Sequence, residues 1–94
     1  MTETKTIRVV IEGRVQGVWY RGWTVEQAAA RGLRGWVRNR ADGSVEALFH
    51  GPARMVDDMV AACLQGPPAA HVSRIAAEPA VEAAGPGFHQ RPTA

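Results

Sequence analysis

Cysteine is almost absent from this 94-residue chain: Cys63 stands alone. One thiol excludes a disulfide within the chain and any zinc site built from several cysteines. Histidine is scarce as well. His50, His71 and His89 sit far apart, and no pair has the i, i+4 spacing of a metal-binding helix. No metal site is expected. Long apolar runs are missing; none approaches the ~18 residues of a membrane-spanning helix. Met1-Thr2-Glu3-Thr4-Lys5 has no apolar stretch behind a basic start, so it does not read as a secretory signal. A soluble, cytoplasmic protein is the expectation.

What is present is globular. Apolar residues make up 46% of the chain and charged residues 21%, values that argue against disorder. The length suits one domain over residues 1–94, burying roughly 60–65% of its unfolded surface. It leaves no room for a nucleotide-binding domain beside a substrate domain. Charge is uneven. Residues 1–40 carry eight basic and three acidic side chains, and residues 41–94 carry three and six, which sum to the net +2. Lys5 is the sole lysine; all other basic residues are arginine. Arginine offers a planar fork of donors suited to phosphate or carboxylate. An anionic ligand near the N-terminal half and a set of solvated arginines both fit this composition.

Hydrophobic periodicity gives the elements. Thr6 to Glu12 places Ile7, Val9 and Ile11 on one face at period two, a strand with one buried side. Gly13 to Tyr20 breaks the alternation. Arg21 to Arg31 has helical spacing through Val25, Ala28 and Ala29, and Gly32 supplies a positive-φ stop. Leu33 to Asn39 returns to strand character, Asp42-Gly43 marks a tight hairpin, and Val45, Ala47 and Phe49 alternate in a third strand. Gly51-Pro52 opens a second helix whose core stripe is Val56, Met59, Val60 and Cys63. Asp57 and Asp58 are expected early in it, where the helix dipole favours negative charge. Gly66-Pro67-Pro68 ends it. Val72 to Glu78 is a fourth strand, with Val72 and Ile75 out of phase as at a bulge. The order is βαββαβ, the split β-α-β or ferredoxin-like α/β sandwich, an antiparallel sheet with two helices on one face. That fold hosts many functions and decides none.

Nucleophilic catalysis has little support. Cys63 lies on the apolar stripe and reads as a small hydrophobe. Ser44 and Ser73 have no neighbouring His or Lys, and no nucleophile elbow is present. Trp23 and Trp36 read as packing residues. The segment Gly13-Arg14-Val15-Gln16-Gly17-Val18-Trp19-Tyr20-Arg21 joins a strand to a helix start and carries two glycines. Successive amides in such a turn can form an anion-binding concavity, and the helix N-terminus adds partial positive charge. Arg21 would stand there, able to grip two phosphate oxygens. It is neither a Walker loop nor a dinucleotide fingerprint. A plain glycine turn with a surface arginine remains the other reading. Asn39, before the Asp-Gly hairpin, is either turn chemistry or an amide that orients a water.

Gly13 to Arg21 resembles the signature loop of acylphosphatases. Gly32-Leu33-Arg34-Gly35-Trp36-Val37-Arg38-Asn39, followed by Asp42-Gly43-Ser44-Val45-Glu46, resembles their second signature, and Gly66-Pro67 with Val72 resembles a further turn. The resemblance runs from about Thr6 to Glu78. It implies a ferredoxin-like fold and hydrolysis of acyl phosphates to a carboxylate and inorganic phosphate. Arg21 matches the family's phosphate-binding arginine and Asn39 its water-orienting asparagine. The backbone amides of Val15, Gln16, Gly17, Val18, Trp19 and Tyr20 match its phosphate cradle. No cofactor and no metal are implied. The substrate is a small acyl phosphate, with no nucleic-acid or membrane partner and a monomer as the expected state. The chain stops at Ala94, which favours a free-standing enzyme over a domain of a larger protein. After Gly87-Phe88 the resemblance expects an alternating strand, but polar Gln90 stands at an apolar place and Pro92 closes the run. The last strand is left open.

The missing catalytic groups fit such a substrate. A leaving carboxylate has a conjugate-acid pKa of roughly 4. It departs without a general acid, so no catalytic His or raised-pKa Glu is needed. Two alternatives remain: a non-catalytic phosphate-binding module, and a nucleic-acid-binding ferredoxin-like domain. The second is disfavoured because the Ile7–Ile11 strand carries no aromatic and Phe49 lies in the buried phase.

Overall fold

A computed structural model describes residues 3–94. The elements run β1 (Thr4–Arg14), α1 (Tyr20–Ala30), β2 (Arg34–Asn39), β3 (Val45–Pro52), α2 (Ala53–Cys63), β4 (His71–Pro79) and β5 (Phe88–Gln90). The sheet order is β4-β1-β3-β2-β5. The first four strands pair antiparallel in the expected ferredoxin-like βαββαβ arrangement, and β5 adds a short parallel pair on the far edge of β2.

Period-two alternation decides which face each strand buries. Val9, Ile11, Val37, Val45, Ala47 and Phe49 point toward the helices and are essentially inaccessible to solvent. Val56, Met59 and Cys63 of α2 and Tyr20 and Ala28 of α1 close over them. Truncating a buried aromatic such as Phe49 to alanine would cost about 3–5 kcal/mol.

The other face of the sheet is polar but ordered. Glu46, 3% exposed, lies between Arg8 and Arg38 and takes hydrogen bonds from both. Trp36 is buried there under the guanidinium groups of Arg38 and Arg91, 4.8 and 4.5 Å from its ring centre. Its Nε1 donates to Glu82 at 2.7 Å.

Helix ends follow local chemistry. Gly32, at φ 67°, ends α1, and the amides of Gly32 and Leu33 return to Ala29 and Ala28 at 3.0 Å. In the β2–β3 turn, Asp42 accepts from the Ser44 amide and hydroxyl at 2.9 and 2.6 Å. The start of α2 differs from expectation. Pro52 closes β3 and caps the helix from outside; Asp57 and Asp58 are the fifth and sixth residues of α2, beyond its first turn. They serve as ion-pair partners of Lys5 and Arg31 and not as dipole complements.

The last strand is short, and Phe88 is its one buried residue. Its ring stacks on Phe49 at 5.5 Å, and Gly35, opposite it, presents no side chain. Beyond β5 the Arg91 amide reaches the Val37 carbonyl at 2.9 Å and, past Pro92, the Ala94 amide reaches the Asn39 carbonyl at 3.0 Å.

Candidate active site

The site begins with a misregistration. Glu12 pairs with Arg74 but Gly13 pairs with Val72, so Ser73 bulges from β4. This bulge is the one the Val72/Ile75 phase break suggested. A Cβ on Gly13 would come within 2.2 Å of the His71 carbonyl oxygen, so this approach of two backbones requires glycine. The chain then turns out of the sheet toward α1. Gly17 takes φ 73°, a left-handed conformation open to glycine, and Trp19 takes φ 68°, the only positive φ outside glycine among the described residues.

The helix that follows starts without a side-chain cap and without an acidic residue in its first turn. Its first amide bonded to a backbone carbonyl is that of Trp23, which donates to Trp19 at 3.0 Å. Among the described residues, no protein acceptor takes a backbone N–H between Val15 and Gly22. A run of unpaired donors ending at a helix N-terminus carries partial positive charge and suits an anion.

These donors border a cavity of about 140 Å³. Val15, Gly17, Trp19 and Tyr20 line it from the loop, Arg21 and Gly22 from the first turn of α1, Asn39 from the end of β2, and Gln90 from β5. Arg21 is half-buried and forms no ion pair among the described residues. Asn39 Oδ1 is buried without a hydrogen-bond partner, the only such side-chain atom among those described. An orphaned acceptor of this kind costs stability and marks a place where a ligand or water belongs.

A larger groove, about 340 Å³, opens on the sheet's polar face beside Arg8, Arg38 and Arg40. Arg8 and Arg38 there already hold Glu46, and Arg8 also reaches Glu78 at 3.0 Å. Committed guanidinium groups and satisfied carboxylates make it the poorer anion site. The smaller cavity joins unpaired amides, an unpaired arginine and an unpaired acceptor.

A model of the acylphosphatase family matches residues 7–90. The acylphosphatase of Rhodospirillum rubrum is 58% identical over 89 residues, covering 95% of this chain and 98% of that protein. The chain belongs to the acylphosphatase family. Two solved acylphosphatases have the same fold. That of Coxiella burnetii superposes with a TM-score of 0.90 at 32% identity, covering 94% of this chain and 93% of its own. That of Bacillus subtilis gives 0.87 at 34% identity, covering 95% and 99%.

Within this acylphosphatase fold the anticipated residues separate into groups. Arg21, Asn39, Val15, Gly17, Trp19 and Tyr20 converge on the cavity. Gln16 and Val18 do not line it. The Gln16 amide donates to the Arg40 and Ser44 carbonyls at 2.8 and 2.9 Å, and Val18 packs against the core. Tyr20 contributes only its backbone. Its ring is buried, and its hydroxyl donates to the Cys63 carbonyl. Burial pushes the Tyr20 phenol far above its usual range. Burial likewise pushes the Cys63 thiol up to about 12, so it carries no nucleophilic thiolate near neutrality. Besides Gly22, Gln90 is a cavity residue that the motifs did not indicate. Its signal was the polar side chain at an apolar place in the tail.

Among the described residues no group of three His, Cys, Asp or Glu is placed to hold a metal ion. No helix among the described residues is long and apolar enough to cross a membrane.

Proposed function

We infer that this acylphosphatase-family chain hydrolyses acyl phosphates, with Arg21, Asn39 and the loop amides as its working groups. The observation that carries the residue assignment is the orphaned Asn39 Oδ1 in the cavity that Arg21 also lines. The phosphoryl oxygens of the substrate would lie against the cavity-lining amides of Val15, Gly17, Trp19 and Tyr20 and the Arg21 fork. A water would donate a hydrogen bond to Asn39 Oδ1, which aims its lone pair at phosphorus. The new P–O bond forms as the P–O bond to the acyl group breaks. The acyl carboxylate leaves with the electron pair, and the water proton passes to a phosphoryl oxygen. Atoms and charge balance with no protein acid or base. Such phosphoryl transfer depends on positioning and electrostatic stabilisation. Unpaired, preorganised donors provide both without reorganising at the moment of reaction.

The match over residues 7–90 supports reading residues 1–94 as one acylphosphatase-like domain. We further read it as a cytoplasmic monomer without nucleic-acid or membrane partners and without a cofactor, acting on small soluble substrates.

Hydrolysis of benzoyl phosphate by the purified chain in EDTA tests the activity. Rapid turnover is expected. A folded chain that binds inorganic phosphate but turns over no acyl phosphate would replace the enzyme with an anion-binding module.

A further inference from the structure

The phosphoryl group is common to all acyl phosphates, so preference among them has to come from side chains that reach the acyl group. Few in this cavity are free to do so. Val15 and Tyr20 are buried, and the Tyr20 hydroxyl is engaged by Cys63. Arg21 and Asn39 serve the phosphoryl group and the water in the reading above. Trp19 remains as the large apolar side chain. It is 58% exposed and lines the cavity, whereas Leu64 and Val81, the other large apolar residues exposed among those described, do not.

Two locally unfavourable choices hold Trp19 in place. Its backbone adopts φ 68°, ψ 24°, a conformation that bulky residues rarely take and that persists where function requires it. The residue beneath its ring is Gly22, in the first turn of α1, where glycine is a poor helix former. A Cβ at Gly22 would lie 2.2 Å from the indole Nε1 and 2.8 Å from Cδ1 and Cε2. The indole therefore rests on bare helix backbone. The fold accepts a strained residue and a weak helix former, and the ring they place is still more than half in solvent. Core packing gains little from that arrangement. A ligand at the mouth of the cavity gains a fixed aromatic wall.

We propose that Trp19, seated on Gly22, determines acyl-group specificity, favouring acyl phosphates with a flat aromatic acyl group over short aliphatic ones. The proposal rests on the acyl phosphate reading of the site. An aromatic ring stacked on the indole gains energy that an acetyl group cannot. That gain raises kcat/KM for the aromatic substrate if it persists in the transition state.

The test is the ratio of kcat/KM for benzoyl phosphate to that for acetyl phosphate. Any general damage to the loop affects both substrates and cancels in the ratio. Trp19→Gly, which suits the positive φ, is expected to lower the ratio about 3–10-fold, and Trp19→Phe to keep most of it. Gly22→Ala, which displaces the indole, is expected to lower the ratio in the wild-type background and to leave it unaltered once Trp19 is glycine. An unchanged ratio in both Trp19→Gly and Gly22→Ala, with both substrates still hydrolysed, overturns the proposal and leaves the acyl phosphate reading standing. A folded wild type that hydrolyses neither substrate overturns both.

Discussion

Gln16 and Arg40 tie the glycine loop to the end of β2: the Gln16 side-chain amide donates to the Arg40 carbonyl at 2.8 Å and to the Ser44 carbonyl at 2.9 Å. Arg40 directly follows Asn39, so this clamp fixes the loop donors relative to the orphaned acceptor. Gln16 is a positioning residue and touches no substrate in this reading. Gln16→Ala should lower stability by about 1–2 kcal/mol, the scale of one or two part-buried hydrogen bonds. It should lower kcat about 10–100-fold, because small misplacements of reacting groups are costly. Gln16→Glu should do at least as much harm, since a carboxylate would then face two carbonyls. Denaturant titration and steady-state kinetics on both variants decide it; full activity in Gln16→Ala would remove the clamp from the account.

Arg21 makes no ion pair among the described residues and lines the cavity beside unpaired amides. Arg21→Ala should cost at least ~10²–10³ in kcat/KM, the scale of losing one preorganised stabilising donor. Arg21→Lys should also be severe, because a point charge cannot reproduce a two-pronged fork. Full activity in Arg21→Lys would show that the guanidinium does not grip two oxygens. Competitive inhibition by inorganic phosphate should weaken in both variants.

Asn39 makes a prediction in which stability and activity part company. Its Oδ1 is a buried acceptor with no partner, so the folded state carries a desolvation cost there. Asn39→Ala removes that atom. The variant should lose kcat by about 10²–10³, bind inorganic phosphate nearly as well as the parent, and melt at the same temperature or higher. Equal loss of turnover, phosphate binding and melting temperature would mean that Asn39 shapes the loop instead of serving a water.

Legibility in the sequence followed the range of the interactions. The β1 alternation, the Gly32 stop, the Asp42-Gly43 turn and the α2 stripe depend on neighbours, and all are present. The loop donors and Arg21 were legible for the same reason, being contiguous. What misled was non-local. Asp57 and Asp58 looked like dipole complements, but they lie past the first turn of α2, and Lys5 and Arg31, from distant parts of the chain, claim the carboxylates. β5 exists because Phe88 stacks on Phe49, thirty-nine positions earlier, and because Gly35 leaves room for it. Parallel pairing of Val37 with Gln90 brings that glutamine toward the cavity, and no local pattern encodes it. The partners of Gln16 in the β2–β3 turn were hidden in the same way.

Glu46 links the sheet's polar face to pH. Burial alone would raise its pKa, but hydrogen bonds and charge from Arg38 and Arg8 prevail and hold it below the usual carboxylate value. A carboxylate whose folded pKa is depressed adds stability above its unfolded value, near ~4.3. That contribution is lost as pH falls through the folded value. Glu46→Gln should therefore destabilise the chain at pH 7 by about 1.5–3 kcal/mol, the scale of hydrogen bonds to a charged group. The gap between variant and parent should narrow steadily below about pH 4.3. Melting temperatures from pH 7 down to pH 2.5 measure both effects. A constant gap across that range would mean that packing, and not the charge held between Arg8 and Arg38, makes Glu46 matter.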